Sequence, residues 1–212
     1  MITISTLLSR FKQAYNDNSD GFVTSPIEYL NRAKDELVDD NAFTFLKKST
    51  SVAYSASDAS VDIPSDSKNQ GVFALWHTSK APANKLRQAS DDAWYMLDTS
   101  ATSETPEVFR MFGTTFELHP IPSSDGTMFF EYYRRVPDVS NSDSTIDLPG
   151  ECEKFLIYKM LEYTFYQEEE QSLGNYYRSL AELELDKLDS LKQSGLTYIN
   201  RRAYPPLNHY KR

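Results

Sequence analysis

The apolar residues of this chain change period twice, and no other feature constrains its fold as strongly. Over residues 4–15, Leu7, Leu8, Phe11, Ala14 and Tyr15 recur at helical spacing; over 26–39, Ile27, Leu30, Ala33, Leu37 and Val38 do the same. The second helix has a marked start. Ser25 precedes Pro26, and Glu28 follows three residues after the serine, so a hydroxyl and a carboxylate can satisfy first-turn donors while the proline has no N–H to leave bare. From about Phe43 the period falls to two: Val52, Tyr54 and Ala56 alternate with serine and alanine, and Val61 with Ile63. Helical spacing returns after Leu148. Amphipathic helices at both ends and alternating strands between them need two kinds of packed layer. The predicted class is therefore α+β: a helical bundle of N-terminal helices plus a C-terminal αα-hairpin, with an inserted antiparallel β region and an extended C-terminal arm.

The middle section, 43–147, predicts five to seven short strands. Residues 72–77 read as a strand covered on both faces, and Trp94 with Met96 as another short alternating piece. A hairpin is predicted from 115–119 and 127–136, joined by the turn-rich 120–126, with Met128, Phe130 and Tyr132 on one face and Phe129 and Tyr133 on the other. Leu148-Pro149-Gly150-Glu151 then opens a helix whose stripe is Cys152, Phe155, Leu156, Lys159, Met160, Tyr163 and Tyr166. It is expected to end near the carboxylates of Glu168, Glu169 and Glu170. Gly174 predicts the break before a fourth helix from Asn175 to about Lys192, with Tyr177, Leu180, Ala181, Leu188 and Leu191 as its seam. Phe155, Leu156, Leu180 and Leu188 are expected in the core. The domain division is 1–42 with 148–193 as the helical part, 43–147 as the β domain, and 194–212 as the arm.

Several function classes fall away on composition. The longest clean apolar run, Val72 to Trp76, is five residues, against the ~18–20 a membrane-crossing helix needs. The N-terminus has no cationic stretch ahead of an apolar one, so it does not read as a signal peptide and folding in a cytoplasm is expected. Cys152 is the single cysteine, which leaves no intramolecular disulfide and no cysteine-built zinc site. His77, His119 and His209 have no metal-ligand spacing, and no phosphate loop or nucleophile elbow occurs. Asp91 with Asp92, and Glu168 to Glu170, read as solvated charge. Cys152 sits just inside a predicted helix start, yet its place on the apolar stripe makes it a structural thiol. Neither catalysis, metal nor cofactor is expected.

The charge is uneven. The chain carries 22 bases against 31 acids, net −9, but the last acid is Asp189. Residues 1–193 hold eighteen bases against 31 acids, and 194–212 hold four bases and no acid. An acidic body does not wrap nucleic acid, whereas a basic tail suits an acidic partner. The tail also carries large apolar anchors, so it reads as a docking arm: Leu196, Tyr198, Ile199, Arg201, Arg202, Tyr204, Pro205, Pro206, Leu207 and Tyr210. Its Pro-Pro step is already stiff, and its arginines can pair bidentately with carboxylates.

The order of elements resembles that of the head-to-tail adaptor (connector) proteins of tailed bacteriophages, including the tubular-tail adaptors of short-tailed phages. The helix SPIEYLNRAKDEL, the segment PEVFRMFGTTFELHPIPSSDGTMFFEYYRRVP and a Leu-Pro step into a helical hairpin carry the likeness. The matching residues are Gly113, Phe116, Leu118, Pro120, Pro122, Tyr132, Tyr133, Arg134, Pro137, Leu148 and Pro149, and the resemblance covers about residues 20–192. It implies a non-enzymatic virion protein at the neck of the particle. Such a protein forms a ring, usually of twelve copies, that joins the capsid portal to the next tail or nozzle protein and passes double-stranded DNA through its lumen without binding it specifically. It also implies that the arm lies along the portal. The alternative from the residues alone is a tail or fibre component whose β domain binds glycan on Trp76, Trp94 and nearby tyrosines.

Overall fold

The computed structural model describes residues 1–15, 26–39, 41–77, 85–98, 100–142 and 144–189, with 69–73 in backbone only. It is a mixed α+β protein. Helices α1 (Ile4–Tyr15) and α2 (Pro26–Asp39) have the bounds their spacing predicts; Ser25 of the expected cap lies outside the described residues. The chain start is pinned by β1 (Ile2–Thr3), which pairs antiparallel with β11 (Thr145–Ile146). After a 3-10 turn at Gly150–Cys152, α4 (Glu153–Gln167) packs against α1, α2 and α5 (Gln171–Leu188). From Phe155 to Thr164 every residue of α4 except Tyr158 is buried. A helix covered on nearly all sides carries no clean amphipathic stripe, so the stripe read from sequence holds only part of what this helix buries.

Between the helices lie two principal sheets. In one, β10 (Gly126–Arg134) runs antiparallel between β2 (Lys47–Tyr54) and β4 (Ser67–His77). In the other the order is β3 (Ser60–Asp62), β8 (Thr115–His119), β7 (Val108–Phe112) and β5 (Arg87–Gln88). Alternation along β10 sends Met128, Phe130 and Tyr132 into the core, and the Phe130 ring stacks on Phe116 of β8 at 5.6 Å, joining the sheets. Phe129, on the opposite face, stacks on Trp76 at 5.9 Å.

The buried apolar residues form two clusters. One gathers the helices with Tyr133, Val136, Val139, Ile146 and Leu148; the other lies within the sheets. Polar ties cross between helices and strands. The ammonium of Lys34 on α2, 1% exposed, donates to the Val136 carbonyl at 3.0 Å and pairs with Asp138 and Asp35. Asn31 exchanges two hydrogen bonds with the backbone of Val139. From β4, Lys68 donates to the carbonyls of Val38, Asp39 and Asn41, so a cation meets the negative C-terminal end of α2.

Four expectations are corrected. Strands β8 and β10 do not form a hairpin: β8 pairs with β7 across a turn at Gly113, whose φ of +61° favours glycine, while both edges of β10 are taken by β2 and β4. The link 120–126 carries a small strand, β9 (Ile121–Pro122), parallel to β6 (Thr102–Ser103). Since β5 also runs parallel to β7, the β region is mixed and not purely antiparallel. Trp94 and Met96 are not on a strand: Ser90 accepts from the Ala93 amide at 3.3 Å and caps α3 (Asp91–Tyr95), with Asp91 and Asp92 favourably placed in its first turn. Finally, α5 begins at Gln171, before Gly174.

The turn between α4 and α5 falls instead on Glu169, at φ +63°, closed by the Glu170 amide donating to the Phe165 carbonyl at 2.9 Å. Gly174 lies within α5, where an added Cβ would come within 2.6 Å of the Tyr166 ring. Its glycine serves close packing, not a helix end. Leu180, expected in the core, is only half-buried, because it lies off the face of α5 that carries the buried Ala181 and Leu188.

Candidate functional site

The ten residues of the expected docking arm, Leu196 to Tyr210, lie outside the described residues, as does Leu191. His209 also lies outside them, and the other candidate catalytic and metal-ligand residues singled out from sequence are placed in the fold. Cys152 is fully buried and burial pushes its thiol up to about 12, so at neutral pH it is a protonated apolar group and not a nucleophile. His77 is buried beside Tyr54, and His119 stands edge-on to Trp94. Among the described residues no group of three or more His, Cys, Asp or Glu side chains could hold a metal ion, and no helix is long and apolar enough to cross a membrane. The two tryptophans offered as sugar platforms are engaged within the chain, Trp76 with Phe129 and Trp94 with Arg110 and His119.

What the fold does assemble is contact surface. At the end of the β7–β8 hairpin, Arg110 is 90% covered; its Nε donates to Glu117 at 2.5 Å and its Nη1 lies 3.8 Å from Asp91. The guanidinium sits 5.0 to 5.3 Å from the ring centres of Trp94, Tyr95 and Phe112. Outside this charge lie Tyr95, Met96 and Phe112, exposed by 75, 87 and 61%. Aromatic residues, methionine and arginine are the types that protein interfaces enrich. Sequence alone misses this patch because the alternation of Trp94 and Met96 predicts a strand; the Ser90-Asp91-Asp92 start of α3 is the available signal.

A second feature joins α2, α4 and α5 around a pocket of ≈ 260 Å³. Lys159 pairs with Glu36 at 2.6 Å and with Glu162 at 2.7 Å, the Tyr163 hydroxyl donates to Glu36 at 2.5 Å, and Arg32 lies over the Tyr163 ring. Burial alone would raise the Glu36 carboxyl, but the hydrogen bonds from Lys159 and Tyr163 outweigh it and hold it below its ordinary value. Burial, with the bond to Glu36, drives the Tyr163 hydroxyl well above the usual phenol range. Lys159 and Glu162 compensate each other's buried charge, so the cluster reads as a structural brace rather than an acid–base pair.

The third feature is on α5. One side of this helix, with Gly174, Tyr177, Ala181 and Leu188, meets the core. Another carries Leu173, Tyr176, Leu180 and Leu183 at steps of three, four and three, and Leu173, Tyr176 and Leu183 are exposed by 42, 56 and 57%.

Exposed aromatic and aliphatic surface, with buried charge used for bracing, describes a component of an assembly. The chain belongs to the SU10 adaptor protein family, whose model matches residues 2–206, and so is a phage head–tail adaptor. Membership implies a structural tail or connector component of a non-enzymatic family, one that interacts with other phage head and tail proteins at the virion neck. A comparison with curated proteins found no match to this chain.

Proposed function

We propose that the protein forms a closed ring, of twelve copies, that joins the portal to the next tail or nozzle protein and lets double-stranded DNA pass through its lumen. Each copy is made in the host cytoplasm and docks on the portal through the arm 194–212. In this reading 1–42 and 148–193 are the helical part that carries the arm, and 43–147 is the β domain. The observation that carries it is the division of charge and apolar content along a family member's chain. The body to residue 193 has thirteen more acids than bases, while the tail has four bases, no acid and six large apolar residues. Acidic lumen walls repel phosphate and favour sliding over sticking.

The test is a chain truncated after Lys192. It is expected to keep the thermal unfolding of the full chain and to lose binding to purified portal. Portal binding equal to that of the full chain would overturn the role of the arm.

A further inference from the structure

A ring of identical copies needs two different surfaces on each chain, because every copy meets one neighbour with one side and the next neighbour with another. Two surfaces of this chain complement each other in charge. The first is the Arg110 patch. Arg110 is nine-tenths covered, yet its Nη1 atom is buried without a hydrogen-bond partner; Asp91 comes only to 3.8 Å and is itself 79% exposed. A buried cationic donor lacking an acceptor is costly, so one chain alone leaves this site incomplete. Around the guanidinium stand Trp94, Tyr95 and Phe112, with Tyr95, Met96 and Phe112 open to solvent. The second surface is the α4–α5 turn. Glu169, in the left-handed conformation, and Glu170 form its tip, both exposed, and their carboxylates have no partner among the described residues, whereas the neighbouring Glu168 accepts from the Tyr15 hydroxyl. Beside them Tyr166, Leu173 and Tyr176 are exposed by 36, 42 and 56%. One surface thus has a donor without an acceptor, and the other has acceptors without a donor. They do not meet within one chain: the turn joins helices of one core cluster, the patch lies on the sheet of the other, and among the described residues no hydrogen bond, ion pair or ring contact links α3, β7 or β8 to α4 or α5.

We propose that neighbouring copies join head to tail through these two surfaces, the Glu169 and Glu170 carboxylates of one copy taking the guanidinium of Arg110 on the next. This rests on the ring reading above and names its contact. The exposed Asp91 gives way to the incoming carboxylate, and the side chains of Tyr95 and Met96, on a helix of five residues, turn aside to admit it. Leu173 and Tyr176 then cover the apolar rim left by Met96 and Phe112. An arginine–carboxylate pair closed off from water by aromatic rings is the kind of contact that carries most of an interface's binding energy.

The test mixes two full-length chains, Thr114→Cys at the β7–β8 turn and Ser172→Cys at the start of α5; both positions are exposed, and the native Cys152 is buried. A short thiol-to-thiol linker is added with and without purified portal. Linked dimers containing one chain of each kind are expected to predominate, because the contact sets the hairpin of one copy against the turn of the next. Equal yields of the three possible dimers, or no linked dimer, overturn the proposal. A second measurement removes the charge alone. Glu169→Gln with Glu170→Gln in the Ser172→Cys chain should leave thermal unfolding unchanged and weaken the association at least about 10-fold, the loss of one strong contact, read as linked yield across a concentration series. Unchanged yield also overturns the proposal. Rings seen on the portal in that case keep the ring reading and discard only this contact, whereas mixed dimers without rings keep the contact and discard the ring.

Discussion

Gly174 shows two local effects in opposition. In the middle of a helix, replacing glycine by alanine gains about 1 kcal/mol of propensity, but here the new methyl would press on the Tyr166 ring. Overpacking of that kind costs about 1–3 kcal/mol. Gly174→Ala is therefore expected to lower stability, and the same substitution in a Tyr166→Ala background to raise it by about 1 kcal/mol; denaturant melts of the four chains in this cycle check the change of sign. Glu36 gives a pH-dependent prediction. Its carboxyl is held below its unfolded value, so the stability it contributes is present above the ordinary carboxylate pKa and is lost as pH falls through its lower folded value. Glu36→Gln should accordingly lose less of its melting temperature between neutral pH and pH about 3 than the parent does. Sequence spacing puts Lys159 and Tyr163 on the apolar stripe of α4 but does not single out Glu36; only the crossing of α2 and α4 brings the three together.

The helices were the legible elements. For α1 and α2 apolar spacing marks both bounds, since each buries one face and leaves the other wet. Strands were legible one by one but not in their pairing, because alternation tells which residues share a face and not which strand lies beside them. The tight turn at Gly113 outcompetes the longer 120–126 link, a difference that depends on partners distant in sequence. The start of α5 was hidden by a glycine used for packing and by a glutamate accepting the left-handed conformation at the turn. Burial then separates two leucines that sequence treated alike. Leu156 is fully buried on α4, and Leu156→Ala should cost about 2–5 kcal/mol. Leu180, half-buried on α5, should cost less than half of that on truncation to alanine, as unfolding melts of the two variants will show.

For the molecule as a whole, the family was legible because the order of helix, β region, Leu-Pro step and helical hairpin is a property of the entire chain and not of any catalytic signature. The exposed Arg110 patch was not, since it needs α3 and the β7–β8 hairpin brought side by side. Under the proposed function such copies close into a ring on the portal, tethered by basic arms. Electron microscopy of the purified protein, alone and mixed with purified portal, measures this directly. A closed twelve-fold ring seated coaxially on the portal, with an open lumen wide enough for duplex DNA, is the expected result. Portals that remain bare at saturating adaptor, with the protein staying monomeric, would contradict it.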